Sequence, residues 1–183
     1  MFRRMIVALL IAAPSGAALA QSEKMGDWAL ATMPNGCMVQ ATSPQGTMIS
    51  VWGFAGQDKL AFLLQNREWS VRDGQAYKLN LEFVGVESRP VNATARQNID
   101  SDGPGFLFTL QPGARESAGF LSAFTSARGM TIRQGGQSFD TLPLAGSRNA
   151  MGALAKCLAD RWSKAPGTAE AEEPEKAETL ETI

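Results

Sequence analysis

The sequence predicts a mainly β domain, a small antiparallel β-sandwich or partly open barrel with one or two covering helices. Three observations lead there. Short runs of β-forming residues are separated by turn signals, among them Pro34-Asn35-Gly36, Pro44-Gln45-Gly46 and Arg72-Asp73-Gly74. One run, Ala76 to Val84, alternates cleanly between apolar and polar side chains. Helical spacing is confined to two segments beyond residue 111.

The elements follow in order. Asp27 to Met33 reads as a strand with Trp28, Leu30 and Thr32 on one face. Cys37 to Ala41 and Thr47 to Trp52 lie beyond the next two turns, so two successive hairpins suggest a meander. Lys59 to Gln65 is a dense apolar run suited to a buried strand, and Trp69-Ser70-Val71 is a short extended piece. In Ala76 to Val84, Tyr77, Leu79, Leu81 and Phe83 share one face, with Lys78, Asn80 and Glu82 on the other. Arg89 to Ala95 and Phe106 to Leu110 are weaker strands. Thr131-Ile132-Arg133, the Gly135-Gly136 turn and Ser138 to Leu142 make a closing hairpin.

A first helix is expected within Pro112 to Arg128, with Phe120, Leu121 and Phe124 as its apolar face and Gly129 at its C-terminal end. A second opens with Ser147 as N-cap. It repeats Ala150, Met151, Leu154, Cys157, Leu158 and Arg161 at three and four residues, which sets Cys157 on the apolar face.

The chain has 183 residues, 44% of them hydrophobic, which suits a single domain with a real core. A formal net charge of −1 makes no electrostatic case for nucleic acid. Histidine is absent, which excludes histidine-based triads, metal sites and pH switches. The beginning of the sequence reads as a secretory signal peptide over residues 1–20. Arg3 and Arg4 precede the apolar run Met5 to Ala13, and Ala18-Leu19-Ala20 supplies the small-residue cleavage pattern. That run is less than half of the roughly 20 apolar residues a membrane span needs, and no later stretch is long enough. The expected product is a single β-rich domain over 21–162 in the periplasm or secreted medium. A disordered acidic tail over 163–183 is expected behind it, since six glutamates face only Lys164 and Lys176 there.

Export decides the reading of the two cysteines. In an oxidising compartment Cys37 and Cys157 are expected to pair, closing a loop of about 120 residues, for which chain entropy gives roughly 4–5 kcal/mol as an upper figure. The alternative is a reactive thiol, although no Cys-x-x-Cys motif marks either residue.

Catalytic motifs are sparse. Around Ser117 the chain reads Arg115-Glu116-Ser117-Ala118-Gly119, without the first glycine of a nucleophile elbow. Asn98, Asp100, Asp102 and Gly103 have the spacing that opens a calcium loop, but Thr109 stands where the bidentate glutamate belongs, so an ordinary polar turn is the simpler reading. No catalytic residue, metal ligand or cofactor is expected. Trp28, Trp52 and Trp162 read as core or core-edge residues. Trp69 stands between Arg67 and Arg72, an aromatic beside arginines, and these three form the candidate binding patch.

Gly26-Asp27-Trp28, Cys37-Met38-Val39-Gln40 and Leu142-Pro143-Leu144-Ala145-Gly146-Ser147, followed by Ala150-Met151 and Leu154, resemble the invasion-associated locus B family. The likeness covers the two ends of the body. Members usually carry a cysteine soon after the tryptophan, where Ala29 to Met33 has none. The resemblance implies an exported, mainly β, non-enzymatic envelope protein, linked in some members to host-cell interaction.

The expectation is therefore a periplasmic, non-catalytic binding or accessory protein whose partner is an envelope protein or a small ligand. Two rivals stand beside it. One is a secreted inhibitor of a lysozyme or protease, using the loops Asn98 to Gly105 and Gln134 to Gln137. The other is a glycan hydrolase, which needs two carboxylates on one cleft.

Overall fold

A computed structural model describes residues 23–97 and 103–163. The expected signal peptide, the expected acidic tail beyond Ser163 and the Asn98–Asp102 part of the calcium-like turn lie outside the described residues. Ten strands form one antiparallel sheet: β1 (Glu23–Met25), β2 (Trp28–Met33), β3 (Gly36–Thr42), β4 (Met48–Phe54), β5 (Leu60–Gln65), β6 (Ala76–Phe83), β7 (Arg89–Arg96), β8 (Gly105–Leu110), β9 (Gly129–Gln134) and β10 (Gln137–Pro143). Two helices, α1 (Arg115–Ser126) and α2 (Ser147–Trp162), complete the domain. No helix among the described residues is long and apolar enough to cross a membrane. The protein is mainly β, as the turn spacing and alternation predict.

The spatial order is β1-β2-β3-β4-β5-β8-β7-β6-β9-β10, so the sheet is open and not closed into a barrel. The first five strands form a meander, and β6 to β8 run back as a second block paired to β5 through β8. The sheet nonetheless curls on itself. Ser43, in the β3–β4 turn, donates from Oγ to Asp140 of β10 at 3.2 Å. Strand β10 is an edge, and its ladder shifts register between Ser138 and Asp140. That bulge turns Phe139 onto Phe106 and Trp69, with centroids 5.7 and 5.8 Å apart. The bulge, Asp140 and Pro143 also discourage pairing with a further strand.

Register decides which side chains share a side. Trp28, Leu30, Cys37, Val39, Ile49, Val51, Phe62, Leu64, Phe106, Phe108, Ala93, Ala95, Leu79, Leu81, Met130 and Ile132 fall on one face and make the core. Both helices lie on this face. Phe120 and Phe124 of α1 pack edge-on against Phe62, at 5.3 and 5.5 Å. Cys157 of α2 is bonded to Cys37 with a Cα separation of 6.2 Å, and Leu158 lies against Gly53, where any larger residue would collide with it.

The structure departs from sequence expectation at several points. Strand β1 escaped notice because three residues carry no periodicity; it exists through its ladder to β2. Trp69-Ser70-Val71 forms no strand. Gly129 does not end α1 but opens β9, and the C-cap is Ala127.

Ser147 is not the N-cap of α2. That position belongs to Gly146, whose φ of 87° favours glycine, and Ser147 is the first helical residue. Its hydroxyl instead donates to the carbonyl of Phe124 at 2.8 Å, satisfying an acceptor in the last turn of α1. Ser147→Ala would leave that buried carbonyl short of a partner. A loss of about 1–2 kcal/mol is expected in urea denaturation, whereas no change would deny the contact any role in joining the helices.

Candidate functional site

The residues singled out in the sequence share the loop between β5 and β6 but not one environment. Trp69 is half-buried, with its ring 5.4 Å from Phe106 and 5.8 Å from Phe139. Its backbone N–H closes a turn on Asn66, whose side-chain amide bonds Thr47 at 2.8 Å. Arg67 and Arg72 are exposed on the same loop. Trp28 is a core residue, 1% exposed, and its indole N–H donates to the carbonyl of Ala145 at 3.1 Å. Trp52 and Trp162 do not join it. Trp162 is 51% exposed, and Trp52 projects from the face opposite the core.

That opposite face is the most unusual surface of the described molecule. Outward positions of β2 to β5 and β8 include Met33, Met38, Met48, Trp52, Phe54, Leu63 and Leu107, with Ala29, Ala31 and Ala61 between them. These five strands contain no Asp, Glu, Lys or Arg. The outer face changes character across β6, β7 and β9, which present Lys78, Glu82, Arg96 and Arg133. There the Glu82–Arg133 pair closes to 2.7 Å.

Both helices are occupied on the core side, so among the described residues neither helix covers the apolar half. Leu63 is 3% exposed, screened without joining the main core. Met38, Trp52, Phe54 and Leu107 remain half-buried. Trp52 and Phe54 lie 6.5 Å apart, and the Trp52 indole N–H is satisfied by Ser50 Oγ at 2.8 Å. The indole donor therefore needs no new partner when the face is covered. Five strands about 4.8 Å apart and six to seven residues long give the whole outer face a footprint of roughly 500 Å², which the apolar side chains share with Gln40, Ser50 and Thr109.

Sequence reasoning missed this surface. The signal was present as five strand-like runs whose only formal charges, Asp27 and Lys59, stand at their ends, but a run apolar on both faces reads as doubly buried.

Among the described residues no group of histidine, cysteine or carboxylate side chains could hold a metal ion. Two clefts mark the surface elsewhere. One of about 360 Å³ adjoins Glu82 and Arg133, and one of about 690 Å³ opens between β7, β8 and α1. Each is lined by a single carboxylate, Glu82 or Glu116. The β9–β10 turn, one of the two loops that the inhibitor reading would use, is exposed at Gly135 and Gly136.

No protein-family model matches the chain, and comparison with curated proteins and with solved structures returns no match either.

Proposed function

We propose that the chain is an exported, non-catalytic accessory protein of a bacterial envelope, which docks on another envelope protein through the outer face of β2 to β5 and β8. The charge-free apolar face carries this reading. Depletion of charge with aromatic and methionine enrichment marks the centre of protein interfaces, and Trp52, Phe54, Met33 and Met38 supply those side chains. Export is supported by the signal-peptide pattern and by the Cys37–Cys157 bond, which suits an oxidising compartment. The likeness to the invasion-associated locus B family points the same way. The segments that carry it meet in space, since Trp28 bonds Ala145 and Cys37 bonds Cys157.

The test places a photoreactive residue at position 52 and, separately, at position 131 on the polar half, in cells that export the protein. The expected result is one adduct of fixed mass from position 52 alone, identified as an envelope protein. Met38→Glu should abolish it while folding stability changes by about 1 kcal/mol or less. Identical adducts from both positions, or none from position 52, would reject the docking face. An adduct of twice the chain mass would reassign it to self-association. Recovery of uncleaved chain from the cytoplasm alone would remove export.

A further inference from the structure

The 690 Å³ cleft lies on the other side of the sheet from the outer face and stands independently of it. Its floor is apolar: Val91, Phe108 and Phe120 are each less than a tenth exposed. Its mouth carries Lys59 and Arg89 against Glu116. The volume is that of a small-molecule site.

Arg89 is the unusual member. Its register partner across β6 is Leu81, so it occupies a core-facing position on β7. There it lies beside α1, where a Cβ placed on Gly119 would sit 3.5 Å from the guanidinium carbon. Among the described residues its one ion pair is Glu87 at 3.7 Å, a long contact to a largely exposed carboxylate. Its Nε is buried and has no acceptor. A guanidinium in an apolar position normally has its donors matched by a carboxylate or phosphate. Lys59 is exposed and has no ion pair among the described residues.

We infer that this cleft binds a small amphipathic monoanion, a carboxylate with an aliphatic or aromatic body. The head group pairs with Arg89 and Lys59, and the body covers Phe108 and Phe120. Lys59 and Arg89 stand against Glu116 in the lining, and Glu87 reaches Arg89 from outside it only at 3.7 Å, a weak contact that a ligand carboxylate seated in the cleft replaces.

The experiment titrates the full mature chain with octanoate, octanol and inorganic phosphate, reading backbone amide shifts by NMR. Octanoate should shift amides around Val91, Thr109 and Phe120 saturably, and at least tenfold more tightly than either octanol or phosphate. Arg89→Gln should weaken octanoate about tenfold, the effect of losing a charged hydrogen bond. Glu116→Gln should tighten it, because a repelling charge leaves the mouth. If Arg89→Gln does not fold, Lys59→Ala takes its place, with weaker binding expected. No saturable shift, equal binding of octanol or phosphate, or octanoate affinity unmoved by these variants would overturn the inference.

Discussion

Replacing Phe62 with alanine is expected to remove about 3–5 kcal/mol of folding stability, the range for truncating a fully buried aromatic. Phe62 is 0% exposed at the middle of β5. Its ring stacks on Phe108 at 5.2 Å and meets Phe120 and Phe124 edge-on, so it joins the sheet to α1. The space left by the ring is bounded by a strand ladder on one side and a helix on the other, and neither collapses easily. Aromatic contacts of this geometry add to simple area burial. Denaturant unfolding monitored by circular dichroism measures the effect. A loss under about 1.5 kcal/mol, the value for a volume-conserving core change, would show that Phe62 is not a central packing residue. Trp52→Ala is the contrast. Trp52 is a larger side chain on the neighbouring strand, yet it projects to the other face, and its stability cost should be about 1 kcal/mol.

Removing the disulfide has the second largest expected effect. The bond spans 120 residues in sequence, from β3 to α2. Constraining so long a loop in the unfolded chain is worth up to about 4–5 kcal/mol in the entropic account. The double variant Cys37→Ser/Cys157→Ser should lose about 2–5 kcal/mol. The loss should be concentrated in α2, because only Ser147, Ala150 and Leu154 of that helix are fully buried. Hydrogen exchange in the variant should show α2 opening ahead of the β4–β5 ladder. Unfolding of the native chain with and without reductant gives the same comparison without mutation. Equal stability in both conditions would mean that the bond contributes nothing, and that α2 is held by its noncovalent contacts, among them buried Ala150 and Leu154, Leu158 over Gly53 and the Ser147 contact.

Parts of this architecture were legible because their determinants are local. Strand β6 alternates in sequence because one of its faces is core and the other is polar and largely solvated, as Lys78 and Leu79 illustrate. The Gly135-Gly136 turn has positive φ at both residues, a conformation glycine adopts at no steric cost. Cys157 fell on the apolar face of α2 by helical spacing, and Cys37 was its only possible intramolecular partner.

Other parts were not legible, each for a physical reason. Ser147 has the chemistry of an N-cap, but a buried acceptor at Phe124 competed for its hydroxyl and won. The Trp69 segment shows period-two spacing over three residues, yet no neighbouring strand presents a ladder to it. The Trp69-Arg67-Arg72 patch was drawn from adjacency along the chain, whereas Trp69 packs its ring on Phe106 and Phe139.

The amino-acid sequence by itself determined most of the strands, the turns between them, and that a C-terminal amphipathic helix carries a cysteine toward the core. Only the tertiary structure decided which side of the sheet the helices cover. In β4 and β5 both faces are apolar, so alternation distinguishes two faces without ranking them. The ranking comes from α1 and α2, which dock through contacts distant in sequence. Both settle over Phe62 and Cys37, and Trp52, Met38 and Phe54 are left on the outside.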